Sequence, residues 1–232
     1  MMSSGDAFWN APETVDRFAA RDPDRRLLEL VESCAAPSRT RVLDVGCAGG
    51  RNTVFLAESG FDVFAVDSSP AMVERTRERV AAILGTFEAD RRVSVGKMED
   101  LSRLASGGFD LVVALGVFHQ ATSRAQWDRA LSEAARVLRV GARLIVAVWS
   151  PRSRPDGVPL VPAPGEPDVF VGFRSGRHCL LDARSLDAAM AGVGLIPETS
   201  TVEVEVATDE GVRVTVNGLY RKRQERLPKA VV

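Results

Sequence analysis

The stretch VLDVGCAGGRNT, running from Val42 to Thr53, decides how this chain folds. A short apolar run, Arg41–Val45, meets a turn of small residues and then a helical pattern over Asn52–Ser59. A strand feeding such a turn and helix opens a β-α-β unit. In open α/β sheets ligands bind beyond the carboxyl ends of the strands, so this turn is the expected site. Glycine at 46 and 50 permits positive φ and lets a ligand approach the backbone closely. The spacing is not GxxxxGK[ST], which excludes a P-loop, and it is not GxGxxG, which disfavours a dinucleotide pyrophosphate.

Working outward, Phe61–Val66 is a second strand, and Ser69-Pro70 supplies an N-cap and a first-turn proline for a helix. The apolar side of that helix is Met72, Val73, Thr76, Val80, Ile83 and Leu84. Arg92–Val95 is a weak third strand. Phe109–Leu115 is a fourth, apolar almost throughout, as a strand covered on both faces should be. Trp127, Ala130, Leu131, Ala134, Val137 and Leu138 follow a 3.6-residue period. Gly141 is expected to end that helix before a fifth strand, Arg143–Trp149. Alternation of this kind implies a parallel sheet with helices on both faces.

Outside the core, residues 151–167 carry six prolines and read as a long, stiff loop. Val202–Val206 and Val212–Val216 alternate with period two around Asp209-Glu-Gly211, which implies an antiparallel hairpin with one face buried. Pro23–Cys34 has the pattern of an amphipathic helix. The expectation is one domain over 1–232: a helical cap at 1–40, a cofactor-binding core at 41–150, a proline-rich loop and lid at 151–181, and a C-terminal helix and hairpin at 182–232.

Composition narrows the function. Thirty Lys+Arg against 31 Asp+Glu give a net charge of −1 over 232 residues, which argues against a dedicated nucleic-acid binder. All but three of the cations (Lys97, Lys222, Lys229) are arginines, a skew ascribed to a GC-rich genome. Cys34, Cys47 and Cys179 are odd in number and far apart, and only two histidines accompany them. Neither a disulfide framework nor a metal site is expected. With no apolar run near the roughly 20 residues that span a bilayer and no secretory leader pattern, a cytoplasmic protein without a membrane partner is expected.

Two acids flank the glycine turn. Asp67 ends the second strand 17 residues after Gly50, where a carboxylate is placed to accept both hydrogen bonds of a ribose diol. Asp44 sits beside the turn, where it complements a cation. A nucleoside with a positive centre and no phosphate suits this arrangement, and S-adenosylmethionine is such a molecule.

At this point the sequence resembles the class I S-adenosylmethionine-dependent methyltransferases over roughly residues 40–150. VLDVGCAGG (42–50), AVDSSPAM (65–72), FDLVVALGVFH (109–119) and AARVLRVGARLIV (134–146) are similar to successive motifs of that family. The continuation after Gly50 is closest to the tellurite-resistance and thiopurine types, which methylate small molecules. The resemblance implies a Rossmann-like, doubly wound, mostly parallel seven-stranded sheet. It places Asp44, Gly46, Cys47, Ala48 and Gly50 at the methionine end of the cofactor, with Cys47 a small packing residue rather than a nucleophile. It gives Asp67 the ribose, Ser68 the adenosine, Met98 and Glu99 the adenine, and Leu115 the end of the fourth strand. Two positions depart from the family. Ala48 replaces a glycine, a change the turn absorbs if its φ is negative. Lys97 replaces an acid near adenine, and lysine has no acceptor for the adenine amino proton.

On the acceptor side, His119 is the candidate base or substrate contact, with Trp149, Phe173 and His178 as candidate substrate residues and Phe170–Phe173 as part of the lid. Phe8 and Trp9 precede the first helix and either close over the cofactor or pack on the domain. Arg152, Arg154, Arg174 and Arg177 flank the proline-rich segment, where binding an anionic substrate is weighed against the favoured reading of chance clustering, and the basic run 221–226 is read as solvated. The expected partner is a small-molecule methyl acceptor, with oligomeric state left open. The NPPY-type tetrad of nucleic-acid amino-methylating relatives is missing at Ala114-Leu-Gly-Val117. An RNA methyltransferase of another kind and a catalytically degenerate binding module stand as alternatives.

Overall fold

The structure is a computed structural model that describes residues 4–173, 176–209 and 211–224. Three helices lead: α1 (Ser4–Asn10), α2 (Pro12–Ala19) and α3 (Arg25–Glu32). The core follows as β1 (Arg41–Val45), α4 (Arg51–Glu58), β2 (Asp62–Asp67), α5 (Pro70–Leu84), α6 (Thr86–Arg92), β3 (Val93–Val95), β4 (Phe109–Leu115), α7 (Arg124–Val137) and β5 (Leu138–Trp149). Then come β6 (Arg154–Pro155), β7 (Val161–Ala163), β8 (Glu166–Phe173), β9 (Gly176–Cys179), α8 (Ala183–Gly192), β10 (Leu195–Pro197), β11 (Val202–Thr208) and β12 (Gly211–Lys222).

The main sheet runs β10-β12-β5-β4-β1-β2-β3, seven strands in order, with β11 and β6 pairing β12 outside that path. β3, β2, β1, β4 and β5 are parallel to their neighbours, while β12 lies antiparallel to β5 and to β10. This is the doubly wound, mostly parallel sheet that the resemblance implies. One face packs Val112, Leu144, Val146 and Tyr220 against α7 and α8, with Trp127 and Leu186 buried between them. The other packs Val42, Val113 and Ile145 against Leu27 of α3 and Leu56 of α4. Central-strand side chains are buried on both sides, which is why those strands read as continuous apolar runs.

The helix starts follow local chemistry. Ser69, Ser123 and Asp182 accept from the backbone N–H of Met72, Gln126 and Ser185, satisfying donors that a first helical turn leaves open.

Several expectations are corrected. Phe8 and Trp9 lie within α1 rather than before the first helix. Gly141, with φ of +79°, does not end α7: the helix stops at Val137, and Gly141 turns the chain inside an irregular β5. The proline-rich segment is not a loop throughout, because β7, β8 and β9 form a separate antiparallel sheet. Proline lacks a ladder donor but is tolerated on edge strands and at strand starts. Pro162 lies in the outer strand β7 at a register irregularity, and Pro167 is second in β8. In the terminal hairpin only β12 has its apolar side buried: Val214 and Val216 are covered, whereas Val202, Val204 and Val206 of β11 are exposed. Arg174 and residues 225–226 of the basic run lie outside the described residues.

Candidate functional site

The glycine turn is built as a set of left-handed residues tied down by hydrogen bonds. Gly46, Ala48 and Gly50 have φ of +72°, +48° and +83°. The condition stated for Ala48, a negative φ, is therefore not met, and a side chain is held where L-residues cost roughly 1–2 kcal/mol. What holds it is on both sides of the residue. Its N–H donates to Asp67 Oδ2 at 2.9 Å, and its carbonyl accepts from the Thr76 hydroxyl at 2.6 Å. The glycines serve the protein's own packing. A Cβ at Gly46 would fall 2.5 Å from Val117, and one at Gly50 would fall 2.9 Å from Thr76.

Two carboxylates line the turn. Asp44 is buried, accepts from the Thr53 hydroxyl at 2.7 Å, and has its pKa pushed by burial up to about 6. Asp67 is also raised by burial, against the opposing pull of backbone N–H groups. Its Oδ1 accepts from Ser69 N–H at 2.9 Å and its Oδ2 from Ala48, one donor each. A carboxylate oxygen has two lone pairs, so acceptor capacity remains on both. Each acid raises the energy of the other or of the buried Cys47 thiolate, and Cys47 is held as an inert thiol. Two acids around a turn are the electrostatic partner of a cationic nucleoside, so the residues fit S-adenosylmethionine.

Further along, Ser68 is exposed, and Met98 is buried in the core. Glu99 accepts from the Gln126 amide at 2.9 Å, tying it to α7, and Lys97 points to solvent. The helices α1 and α2 cover this end. The Asn10 side chain accepts from the Ser69 hydroxyl at 2.9 Å and from Ala71 N–H at 3.2 Å, and a Cβ at Gly49 would fall 2.6 Å from the Ala19 backbone.

At the acceptor end, all four candidate residues meet. Leu115 ends β4, Gly116 and Val117 turn the chain, and a short 3-10 turn, Phe118–Gln120, places His119. His119 stacks on Trp149 at 4.7 Å and 12° between planes. His178 and Phe173 complete the cluster, with Phe173 edge-on to His178 at 4.5 Å and 5.0 Å from Trp149. The small sheet is docked by two contacts: Cys179 N–H donates to the Ala121 carbonyl at 2.8 Å, and Arg124 pairs with Asp168 at 2.7 Å.

The histidines are neutral and their tautomers are set by neighbours. His178 Nδ1 donates to the His119 carbonyl at 2.9 Å, and burial lowers its pKa to about 4. The Gln120 amide nitrogen is 3.1 Å from His119 Nε2 and can only donate, so Nε2 accepts and the proton sits on Nδ1. That Nδ1 is buried with no partner among the described residues. Burial first, then the electrostatic influence of His178 and Arg213, keeps the ring well below its ordinary pKa. Reading the sequence missed Thr53, Thr76, Asn10 and Gln120. Their only signal was position: Thr76 stands on the apolar side of α5, where a hydroxyl needs a partner.

Residues 42–141 match a family model described as a methyltransferase domain. That match covers 100 of the 232 residues and makes this segment similar to a methyltransferase domain. Among relatives, a ubiquinone biosynthesis O-methyltransferase of Xanthomonas axonopodis pv. citri is 30% identical over 140 residues, covering 60% of this chain and 55% of that one. The chain thus spans about half the length of that relative. A solved S-adenosylmethionine-dependent methyltransferase of Methanosarcina mazei superposes with a TM-score of 0.65 at 18% identity, over 88% of this chain and 100% of that one. The 1,6-didemethyltoxoflavin-N1-methyltransferase of Burkholderia thailandensis, solved with its substrate and S-adenosylhomocysteine, gives 0.60 at 19% identity over 86% and 78%. These two likenesses concern the fold. No helix among the described residues is long and apolar enough to cross a membrane.

Proposed function

We propose that this protein methylates an oxygen, nitrogen or sulfur atom of a small molecule, using S-adenosylmethionine. The observation that carries the reading is the meeting of the acid-lined glycine turn and the aromatic cluster at one edge of the sheet. Asp67 holds the ribose while fixing Ala48, and Asp44 with the turn 46–50 lies at the methionine end. Ser68, Met98 and Glu99 border the adenosine, and Leu115 separates cofactor from acceptor. S-adenosylmethionine, when bound, supplies an electrophilic methyl group on a sulfonium. The protein's task is then to orient the acceptor and exclude water, and orientation alone is worth roughly 7–11 kcal/mol in favourable cases. His119, Trp149, Phe173 and His178 form the acceptor wall, and β7–β9 is the cover that carries two of them. His119 acts as part of the ring wall, through Trp149, rather than as a base, because a ring held far below neutral pH takes up protons weakly.

Calorimetric titration with S-adenosylmethionine and S-adenosylhomocysteine, with NAD as control, tests this. Micromolar binding of the first two alone is expected, and Asp67→Ala should weaken it at least tenfold, about 1.4 kcal/mol. Absence of binding in the unaltered protein would leave a partner-binding module in place of an enzyme.

A further inference from the structure

Two arginines border the site, Arg213 on the acceptor side and Arg21 just beyond the helices that cover the glycine turn, and among the described residues no carboxylate pairs with either. Thr215 of β12 is paired with Trp149. Strand side chains two residues apart share a face, so Arg213 projects from the same face as Trp149, one repeat or roughly 7 Å further on. The β11–β12 hairpin carries it past the end of β5. From the opposite wall, the seating of Ala19 against Gly49 delivers Arg21, whose guanidinium lies 4.0 Å from the Phe18 ring centroid. Arg51, at the start of α4, is partly answered by Asp24 at 3.9 Å and the Asp22 carbonyl at 3.3 Å. No carboxylate lies within 4.0 Å of Arg21 or Arg213 among the described residues.

The arginines near the proline-rich segment behave differently. Arg152 pairs with Glu203 at 3.0 Å, Arg154 with Glu205 at 3.6 Å, and Arg177 with Glu166. They are spent on holding the hairpin and the small sheet. Arg21, by contrast, is exposed but stands near like charges, and partial desolvation together with Arg51, Arg17 and Arg213 lowers its pKa. The charge of Arg213 is also felt at the His119 ring. Arg21 and Arg213 are thus like charges on the side of the site that faces the cluster, and an anion placed between them relieves the repulsion. Guanidinium groups suit a carboxylate, which they can grip through two parallel hydrogen bonds. Beside them, Trp149 and Phe173 are only half-buried and offer flat apolar faces for a ring.

We propose that the methyl acceptor is a planar aromatic molecule bearing a carboxylate, its ring against Trp149 and Phe173 and its carboxylate between Arg21 and Arg213. This rests on the methyltransferase reading above. The same anion chemistry could be satisfied by the aminocarboxylate of the cofactor, and the experiment separates the two sources.

The protein loaded with S-adenosylhomocysteine is titrated calorimetrically with 2-naphthoate and with its neutral counterpart 2-naphthamide. Naphthoate should bind saturably and at least tenfold more tightly than the amide. Arg213→Ala should erase that preference, Arg213→Lys should restore part of it, and S-adenosylhomocysteine affinity should stay within about twofold in both. Equal binding of acid and amide, or no naphthoate binding to the loaded protein, overturns the proposal. So does a loss of S-adenosylhomocysteine affinity in Arg213→Ala with 5′-methylthioadenosine, which lacks the aminocarboxylate, unaffected: the anion is then the cofactor's own. If the unaltered protein binds no S-adenosylhomocysteine, the methyltransferase reading fails first and takes this one with it.

Discussion

The glycine turn and the aromatic cluster sit at the same edge of the sheet and are built on opposite plans. In the turn, Asp44, Asp67, Thr76 and the Ala48 backbone all have hydrogen-bond partners inside the protein. Its ligand-facing shape is set before anything binds. In the cluster the rings come from residues 119, 149, 173 and 178, and they are held mainly by stacking. Among the described residues, the buried Nδ1 of His119 has no partner there. On the function proposed above, the cofactor would meet a preformed socket and the acceptor a wall assembled from distant segments.

Substitutions in the turn put the first half of that contrast at risk. The largest effect is expected for Gly46→Ala. It adds a Cβ at positive φ and drives it into Val117, for left-handed strain of roughly 1–2 kcal/mol and overpacking of roughly 1–3 kcal/mol. A thermal melt should show a fall of roughly 6–10 °C. A melt within 2 °C of the parent would mean that the turn is soft and the contrast overdrawn.

Next comes Asp44. Burial raises its pKa to about 6, so the folded chain binds its proton more readily than the unfolded one. Its contribution to stability is complete below about pH 4 and is lost as pH rises through 6. Asp67, also raised, acts in the same direction. Denaturant unfolding should therefore show stability falling between about pH 4 and 6, and Asp44→Asn should recover about 2–3 kcal/mol at pH 7.5 and flatten that slope. An unchanged slope would mean that the acid is solvated and that the turn is open.

The smallest effect sharpens the same point. Ala48→Gly removes strain of roughly 1–2 kcal/mol and costs roughly 0.5–1 kcal/mol in unfolded-chain entropy. A gain of up to about 1 kcal/mol remains, measurable as a rise of about 1–3 °C. A loss instead would show that the two hydrogen bonds on Ala48 position the methyl group as well as the backbone.

Legibility from sequence follows the same division. The parallel core could be read because each strand and helix announces itself within a dozen residues: an apolar run, a glycine turn, Ser69-Pro70. The four cluster residues could be nominated but not joined, since long-range contacts such as Cys179–Ala121, Arg124–Asp168 and His178–His119 bring the small sheet to the cluster. β7–β9 was hidden because proline density masks strands whose edges tolerate proline. The exposed side of β11 was misread because period-two alternation says that a strand has two faces, without saying that either is covered. Ala48 was the sharpest miss: its φ depends on Asp67 and Thr76, which are adjacent to it only in space.

The same β11 also bears on how the chain avoids its own kind. Its free flank carries a line of unsatisfied backbone groups beside three outward valines, a template onto which another chain's strand can be added. The intervening Glu203 and Glu205 are pinned from the neighbouring segment by Arg152 and Arg154. A second β11 laid alongside would have to break those pairs and bring carboxylates face to face. Valine gives the strand its stiffness, and the Glu–Arg pairs set a charge cost against edge-to-edge pairing.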